Sequence, residues 1–408
     1  MTEARLPPQP LRVTALAASA QLGGTERVLL DFAARAFEHD IALRVLAPRD
    51  GPLIALLNEI GVPAEVVPAP AAMLRGSQQP GRLWSAIPSA LMLPVWGRAL
   101  RAHAFSRDAQ VFYSIGFKTH LMTAFPSARR VVWHLHEFPP ATTGWLWRGL
   151  ARSIPDTLIA NSAAVAKAWD APSKRLAVIH NGVDLDRFKP REPTRWIHRA
   201  LGLSTGDRLV GMPAAFARWK GHEAVIEAFR TIMADFPNVH LVFVGGSIYD
   251  TVAEQEFGET LQRITSEGSR ASGDRRIHLL PFQERIELTY PEFDVAVHYS
   301  LRPEPFGRVI LEAMACGIPV LAADEGGPIE ILGTDPLAHR APLVHRPSVV
   351  GGWLVPARNT GDLAMSLARA LSLPPAERSK IGQLGRVRAE DHFSARTFAK
   401  RVAEVLSP

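Results

Sequence analysis

Two acidic residues lie on either side of a helix start in the segment "EPFGRVILEAMACGIPVLAADEGG", residues 304–327. Glu304 precedes the apolar part of this segment and Glu312 interrupts it, with seven residues between them. The apolar spacing predicts a helix over 307–316, ended by a glycine and a proline, and then a buried strand. Glu304 is therefore expected in a loop at the carboxyl edge of a sheet, where open α/β sheets bind their ligands.

This arrangement suits a ligand that carries both phosphate and hydroxyl groups. The start of a helix presents backbone N–H groups and the positive end of the helix dipole to an anion. Carboxylates accept strong hydrogen bonds from sugar hydroxyls. The pattern thus indicates a sugar nucleotide, with one acid for each of its sugars. As a structural alternative, Glu312 alone is more simply explained as a paired or partly exposed acid of the helix.

A glycine pair precedes a second predicted helix start, which can also present N–H groups to an anion. Gly326 and Gly327 are expected to let the backbone approach an anion closely. Either glycine alone is equally typical of a tight turn. The combination of both acids with this pair, in this order, favours the ligand-binding interpretation.

Histidines and acidic pairs are the other candidates for chemistry. The 14 histidines contain no clustered ligand pattern such as H-E-x-x-H. His134 and His136 are predicted to face opposite sides of their strand, with His134 in the core and His136 toward a cleft. Asp184 and Asp186 form a D-x-D pattern, but it lies in a polar turn and not after an apolar strand, so a structural role is expected. No metal site is predicted.

The elements that must position these residues alternate along the chain. Short apolar runs, which read as strands, are separated by amphipathic helical patterns such as "KGHEAVIEAFRTIMADF". Fully apolar strands between helices indicate parallel sheets covered on both faces. Two such series predict two doubly wound, Rossmann-like α/β domains facing a cleft.

A polar, proline-containing region at about 181–195 marks the predicted domain boundary. We expect an N-terminal domain over 1–190 and a C-terminal domain over 191–391. The last helix, 392–408, is expected to pack back on the first domain.

Composition narrows the class of protein. A chain of 408 residues, with 47% apolar and 21% charged residues, is globular and too long for one core. A single cysteine, Cys316, argues against a disulfide scaffold and fits a reducing compartment. We find neither a signal-peptide pattern nor an apolar run of about 18 residues, so a cytoplasmic protein is expected. The net charge of +6 suits anionic partners, but no aromatic-basic motif favours nucleic acid.

The segment from Glu304 to Gly327 resembles the signature of the retaining GT-B glycosyltransferases, family 4-like, also called glycosyl transferases group 1. That signature is E-x7-E followed by a small-residue run and G-G. Five further segments resemble the family in the same order: "GGTERVLL", "HLHEF", "ANSAAV", "VIHNGVDLDRFKP" and "WKGHEAVIEAF". Each is a weak signal alone, and their order makes the resemblance specific across nearly the whole chain.

The resemblance implies an acceptor-side role for the N-terminal domain, 1–190, and a nucleotide-sugar-binding role for the C-terminal domain, 191–391. It also implies roles for individual residues. The implied catalytic residues are His136, Glu304 and Lys220, and the implied donor-binding residues are Gly23, Gly24, Arg218, Lys220, Phe282, Glu304, Phe306, Gly307, Arg308 and Glu312. Glu312 would bind the ribose, Glu304 the transferred sugar, and Lys220 the diphosphate. One departure is Ala215, which stands where the family usually carries an arginine, and Arg218 is expected to replace it.

The same resemblance implies the reaction. A hexosyl group would pass with retention from a UDP- or GDP-linked sugar to a saccharide or lipid-linked acceptor of the cell envelope, giving an α-linkage without a metal or other cofactor. The leaving phosphate, and not a protein nucleophile, would take the acceptor's proton. Two alternatives stay open: a nucleotide-sugar epimerase of the same fold, and an inactive nucleotide-sugar-binding partner protein.

Two basic, apolar segments of the N-terminal half suggest contact with an anionic membrane. Residues 71–107 contain five arginines and two tryptophans, with no acid before Asp108. A second patch, "GWLWRGLARSIP", adds Trp145 and Trp147. Apolar and tryptophan faces with arginine neighbours suit the inner bilayer interface. A buried helical hairpin with a solvated arginine face is the alternative.

Overall fold

The structure is a computed structural model that describes residues 9–70, 83–123, 129–248, 251–272, 275–333 and 350–407. Its contacts divide the chain into two compact units. One unit is Met1–Gly182 together with Ala395–Pro408, and the other is Val183–Ser394. The last helix therefore belongs to the first unit.

The first unit contains a seven-stranded, wholly parallel sheet in the order β3-β2-β1-β4-β5-β6-β7. Its strands are β1 Leu11–Ala17, β2 Ile41–Ala47, β3 Ala64–Val66, β4 Val111–Ile115, β5 Arg130–Leu135, β6 Thr157–Ala160 and β7 Leu176–Val178. Its helices are α1 Gly24–Ala33, α2 Pro52–Glu59, α3 Leu83–Ala102, α4 Ala104–Asp108, α5 Phe117–Met122, α6 Gly144–Ser153 and α7 Ala163–Trp169, together with the C-terminal helix Ala395–Leu406.

The second unit contains a six-stranded parallel sheet in the order β10-β9-β8-β11-β12-β13. Its strands are β8 Arg208–Pro213, β9 Val239–Gly245, β10 Ile277–Pro281, β11 Val295–His298, β12 Val320–Ala323 and β13 Gly352–Val355. Its helices are α8 Trp196–Leu201, α9 His222–Ile232, α10 Val252–Ser272, α11 Arg308–Ala315, α12 Gly327–Leu332, α13 Thr360–Ser372 and α14 Pro375–His392. The C-terminal helix that follows is α15.

Each sheet carries a hydrophobic core on both of its faces. In the first unit, one core includes Phe32 of α1 and Phe398 of α15, and the other includes Trp133 and Trp169. The second unit has two cores as well, one on each face of its sheet. This double burial explains why the strands read as continuous apolar runs. The predicted α/β class with two doubly wound parallel sheets is confirmed.

The strand order of each sheet reverses once, and that point fixes where a ligand can bind. In the first unit the reversal falls between β1 and β4, and in the second it falls between β8 and β11. At such a point the connections after the two adjacent strands leave in opposite directions and open a crevice at the carboxyl edge. Lys220 follows β8 and Glu304 follows β11 in the second unit, and Gly23 and Gly24 follow β1 in the first.

The predicted membrane surface is only partly covered by the described residues. Residues 71–82, and the side chains of 83–91 and 93, lie outside them. Within the described part, Trp96 is buried and its indole N–H donates to the Val67 carbonyl at 2.9 Å. Trp96 therefore belongs to the core, and its assignment to a bilayer-facing surface is wrong. No helix among the described residues combines the length and the apolar character that crossing a bilayer needs.

Candidate functional site

Lys220 and Glu304 meet at the reversal point of the second sheet. Lys220 ends a single 3-10 turn, Arg218–Lys220, in the connection that follows β8. Glu304 lies in the connection from β11 to α11. The Lys220 Nζ donates to Glu304 Oε2 at 2.8 Å, and both side chains are largely buried. Adjacent parallel strands thus deliver a cation and a carboxylate to one spot at the edge where ligands bind.

The polar contacts of the Glu304 carboxylate converge on one oxygen, Oε2. Besides Lys220, the Ser300 Oγ donates to Oε2 at 2.9 Å, and His298 Nε2 lies 3.3 Å from the same atom. Burial would raise the pKa of Glu304, but the Lys220 ammonium and the His298 ring hold it well below its usual range. Glu304 is therefore an anion at neutral pH. The hydrogen bonds and the ion pairs of the Glu304 side chain with described residues all go to Oε2, and none of them goes to its second oxygen, Oε1.

The loop that carries Glu304 is fixed against the connection after β12. The Gly327 N–H donates to the Glu304 carbonyl at 2.8 Å. A Cβ on Gly326 would lie 2.2 Å from the Glu304 carbonyl oxygen, and one on Gly327 would lie 2.4 Å from the Phe306 Cα. Close approach of the chain to itself therefore requires these glycines. We predicted that these two glycines serve a bound anion. The close internal packing of the chain explains both glycines without a ligand.

Helix α11 begins directly after this loop. Gly307 precedes it with a φ of 105°, a left-handed conformation that favours glycine. Phe306 buries its ring in the core, and Arg308 is the first helical residue. The helix start at Arg308, with its N–H groups and positive dipole end, thus lies four residues along the chain from Glu304.

Glu312 is buried inside α11 and is fully engaged within the unit. Its Oε2 accepts from the Tyr290 hydroxyl at 2.8 Å, and its Oε1 accepts from the Arg308 guanidinium at 2.9 Å, one helical turn away. Burial, and then the Glu312 charge, raise the pKa of Tyr290 well above its ordinary value, so its hydroxyl stays a donor. The paired-acid interpretation of Glu312 therefore applies in this structure, and a ribose would have to share the carboxylate with Arg308.

Arg218 contacts Glu223 and Phe257. Its side chain is 63% exposed, its guanidinium lies 5.0 Å from the centre of the Phe257 ring, and its Nη1 is 3.4 Å from Glu223 Oε1. Among the described contacts, none joins Arg218 to Lys220 or Glu304. Ala215 carries no charge, so Lys220 supplies the cation of this edge, with its Nζ 3.9 Å above the Trp219 ring.

Phe282 follows β10, at the far end of the same sheet edge. Its side chain is 46% exposed, and a Cβ on Gly246 would lie 3.6 Å from the Phe282 Cβ. The ring is thus available to solvent beside a glycine turn that follows β9.

In the first unit, Gly23 and Gly24 occupy the start of α1, after β1. Gly23 caps the helix, and its carbonyl accepts from the Arg27 N–H at 3.1 Å. A Cβ on Gly24 would meet no atom within 4 Å. Packing within the described residues therefore does not require this glycine, and the surface above the helix start is open.

His136 follows β5 and lies beside His134. The centres of their rings are 4.0 Å apart, and His134 is fully buried with the Tyr113 hydroxyl at its Nδ1. The prediction that they face opposite sides is wrong, because residues two apart in a strand point to the same face. Burial lowers the pKa of His136 to about 3, so at neutral pH its imidazole offers a hydrogen bond and not a charge.

Asp184 has the structural role that was predicted for it. Its Oδ1 accepts from the backbone N–H groups of Asp186 and Arg187, at 3.0 and 3.1 Å, which closes a polar turn. In the part of the chain that the structure describes, no group of three or more His, Cys, Asp or Glu side chains is arranged to hold a metal ion. Metal independence itself stays a prediction.

Three residues of this edge escaped the sequence analysis: His298, Ser300 and Tyr290. His298 and Ser300 contact Glu304, and Tyr290 contacts Glu312. The signal for the first two was their position, since His298 ends the strand that leads to Glu304 and Ser300 closely follows it. Nothing in the local sequence of Tyr290 indicates its partner, which lies 22 residues further along the chain.

Two family models match the chain, one in each half. Residues 194–388 match the model described as "Glycosyl transferases group 1", and residues 22–187 match "Glycosyltransferase Family 4". The segment that matches the first model includes Lys220, Glu304 and Glu312. The segment that matches the second includes Gly23, Gly24 and His136.

Similar proteins fall in the same group. D-inositol 3-phosphate glycosyltransferase of Mycolicibacterium smegmatis is 30% identical over 234 residues, which is 55% of this chain and 47% of that protein. The protein of the same name from Corynebacterium urealyticum is 29% identical over 180 residues, 42% of this chain and 41% of that one. The chain spans about half the length of the curated relatives it matches.

Solved structures match over almost the full length. Anabaena Alr3699/HepE in complex with UDP and glucose superposes with a TM-score of 0.77 and 25% identity, covering 97% of this chain and 99% of that one. The sucrose-phosphate synthase of Thermosynechococcus elongatus has a TM-score of 0.75 and 18% identity over 98% of each chain, which shows a shared fold. The chain therefore belongs to the group 1 glycosyl transferases, built on the GT-B fold with an N-terminal part of the Glycosyltransferase Family 4 type.

Proposed function

We propose that this protein transfers a hexosyl group from a UDP- or GDP-linked sugar to an acceptor hydroxyl, with retention and without a metal ion. The single observation that carries the proposal is the contact between Lys220 and Glu304 at the reversal point of the second sheet. A cation for a diphosphate and an anion for sugar hydroxyls lie there side by side. Structures of Anabaena Alr3699/HepE with UDP-glucose support a nucleotide-sugar ligand for a chain of this fold.

Lys220 and the start of α11 would do the electrostatic work of the reaction. As the bond to the transferred sugar breaks, negative charge grows on the leaving diphosphate and positive charge on the sugar ring. A fixed cation and helix N–H groups stabilise the leaving group where that charge develops, which can contribute about 2.7–4 kcal/mol per donor. The ionised Glu304 would bind hydroxyls of the transferred sugar, and the leaving phosphate would take the acceptor's proton on the same face.

His136 would act in this reaction as a neutral hydrogen-bonding group. Its imidazole stays uncharged far below neutral pH, since burial lowers its pKa to about 3. A neutral ring can bind a hydroxyl of the sugar or acceptor without opposing the oxocarbenium charge. We therefore expect His136→Ala to lower turnover more than donor affinity.

We further propose a saccharide or lipid-linked acceptor, reached at the cytoplasmic face of an anionic membrane. The support is α6, where Trp145 is 72% exposed and Leu146 is 45% exposed, with Arg148 and Arg152 on the same helix. The relatives named D-inositol 3-phosphate glycosyltransferase support an alternative, a small phosphorylated polyol. Transfer assays with both acceptor classes separate these two.

A second candidate function follows from Arg218. Its guanidinium lies on Phe257 and Glu223, so Lys220 has no second cation beside it among the described contacts. A weaker hold on the diphosphate favours a nucleotide-sugar-binding partner protein without transfer activity, or an epimerase that keeps its donor.

Incubation with nucleotide sugars alone, in a chelator, tests the proposal against these alternatives. A transferase hydrolyses the donor slowly or waits for an acceptor, an epimerase interconverts two sugars, and a binding protein leaves the ligand unchanged. Transfer to an added acceptor with release of free UDP or GDP supports the proposal. Release that requires added magnesium or manganese would contradict its metal-independent part.

A further inference from the structure

His298 occupies the last position of β11 and is 5% exposed. Its Nε2 lies 3.3 Å from Glu304 Oε2, at ion-pair distance, and neither ring nitrogen makes a well-aligned hydrogen bond to any described residue, Glu304 included. Beside an ionised carboxylate, the tautomer that carries its proton on Nε2 is the stable one. The ring is thus held beside Glu304 by the end of a buried strand, with Nε2 as its nitrogen at the carboxylate.

Ser300 provides a second neutral donor to the same oxygen. Its side chain is buried, and its Oγ donates to Glu304 Oε2 at 2.9 Å. The residues on either side of it are anchored independently of Glu304. The Tyr299 hydroxyl donates to the Pro356 carbonyl at 2.8 Å, and the Leu301 N–H donates to the Trp219 carbonyl at 2.7 Å.

Lys220 differs from these two residues, because the proposed function requires its positive charge at the donor diphosphate. In the structure its ammonium is committed to Glu304. When a diphosphate binds, the same ammonium must turn toward at least one phosphate oxygen, and its bond to the carboxylate weakens. A carboxylate that lost its donors would rotate or gain a proton, and either change would spoil its contact with a sugar hydroxyl.

We propose that His298 and Ser300 are positioning residues that hold Glu304 by Oε2 while Lys220 engages the donor diphosphate, which leaves Oε1 for a hydroxyl of the transferred sugar. This inference rests on the proposed function and adds to it the residues that keep its carboxylate in place. His298 and Ser300 touch Glu304, and neither needs to touch the substrate. A purely structural role would instead have them stabilise the strand end without regard to Glu304.

Replacing the His298 donor separates the two roles. His298→Leu removes the donor and keeps an apolar side chain, whereas His298→Gln returns an N–H at a similar reach. We expect His298→Leu to lower kcat about tenfold to hundredfold, the range for a lost hydrogen bond to a charged group. KM for the donor should change by less than about threefold, because the nucleotide contacts are untouched. His298→Gln should recover most of kcat.

The matched control is His198→Leu. His198 is also a buried histidine of the second unit, with its Nε2 3.0 Å from the Asp207 carbonyl, and among the described contacts it does not touch Glu304. Thermal unfolding of each variant checks that it folds. Equal loss of kcat in His298→Leu and His298→Gln, or wild-type kcat in His298→Leu, would overturn the proposal.

A pH profile gives a readout that a structural role would not move. Lys220 and His298 are the charged and titratable groups that hold the pKa of Glu304 down, so loss of the His298 donor raises it. The acid limb of kcat should move to higher pH in His298→Leu and in Ser300→Ala, but not in His198→Leu. If His298→Leu fails to fold, Ser300→Ala decides, and an unmoved acid limb in that variant overturns the proposal.

The titration of Glu304 itself distinguishes failure of this inference from failure of the proposed function. Carboxyl carbon NMR on glutamate-labelled protein, assigned by difference from Glu304→Gln, reports its ionisation without any substrate. A raised pKa in His298→Leu and Ser300→Ala supports the positioning role even if no nucleotide sugar reacts. An unchanged pKa in both variants overturns it even if the wild-type protein proves to be an active transferase.

Discussion

Lys220 and Glu304 lie 84 positions apart in the chain and share a hydrogen bond of 2.8 Å between Nζ and Oε2. Before a ligand arrives, the cation proposed for the diphosphate and the anion proposed for the sugar therefore neutralise each other. A donor must replace part of this contact with its own phosphate and hydroxyl groups. The pair keeps two charges satisfied at a largely buried edge where either one alone would be costly.

Removal of the lysine charge should cost stability as well as function. We predict that Lys220→Met lowers the free energy of unfolding by about 1–3 kcal/mol, since Glu304 stays largely buried without its ion partner. Glu304→Gln added to it should recover part of that loss. Denaturant unfolding measures both, and Arg218→Met, at a 63% exposed position, is the control, expected within about 0.5 kcal/mol of wild type. Full additivity of the two substitutions would show that the pair carries no coupling.

Glu312 should matter for the nucleotide more than for turnover. We predict that Glu312→Ala weakens UDP or GDP binding by about tenfold or more, because a charge-assisted bond to the ribose is lost and Arg308 is released from its partner. Calorimetric titration measures the affinity. The control is Glu390→Ala, which breaks the Arg386–Glu390 contact, a pair with the same helical spacing at an exposed acid. Equal affinity in wild type and Glu312→Ala would leave Glu312 as a structural acid.

Much of the fold was accessible from sequence because apolar strands buried on both faces leave a strong pattern. The helix predicted over 307–316 is observed as Arg308–Ala315, where a left-handed glycine and an apolar stripe fix its limits. The edge that carries Glu304 followed from the same pattern, since every parallel strand ends there.

The contacts within the site were not accessible, because they depend on register between distant segments. The bond between Lys220 and Glu304 needs β8 and β11 to be neighbours, which no local pattern states. We predicted an anion beside Gly326 and Gly327 because a bound ligand and a crossing backbone segment both require a residue without a side chain at such positions. Arg218 was expected near the diphosphate because the family resemblance puts an arginine at the position of Ala215, and its contact with Phe257 depends on where α10 packs.

The buried histidines of the first unit predict a loss of stability in acid. Burial lowers the pKa of His120 and His136 to about 3 and that of His134 well below its ordinary value, while an unfolded chain titrates near 6.5. Below pH 6.5 the unfolded state binds protons that the folded state does not, so stability falls as pH drops from about 6.5 toward 3. Each group contributes up to about 1.4 kcal/mol per pH unit.

Unfolding midpoints between pH 7 and pH 4.5 check this prediction. His120→Gln should flatten the decline, because one proton fewer separates the two states, although it also gives up the ring stack on Trp133. The comparison is therefore between slopes and not between absolute midpoints. The same slope in wild type and variant would show that His120 does not titrate differently in the folded protein.

The exposed face of α6 should control attachment to an anionic bilayer. We predict that Trp145→Ser reduces flotation with phosphatidylserine vesicles at low salt and leaves the unfolding midpoint nearly unchanged, because its ring is 72% exposed. Trp147→Ser is the contrasting variant. Its ring lies 4.5 Å from that of Phe117 and 6.5 Å from that of Trp169, so it should lower stability instead. No flotation of the wild-type protein with anionic vesicles would contradict the membrane proposal.

The most direct test of the central claim is calorimetric binding of UDP- and GDP-linked sugars to the wild-type protein and to Lys220→Met, in EDTA. We predict that one nucleotide sugar binds the wild-type protein without a metal. The affinity of Lys220→Met should be lower by about tenfold to hundredfold, since the ammonium no longer meets the diphosphate. Equal affinity in both proteins, or binding that appears only when magnesium or manganese is added, would contradict the account of Lys220 and Glu304 as the donor site.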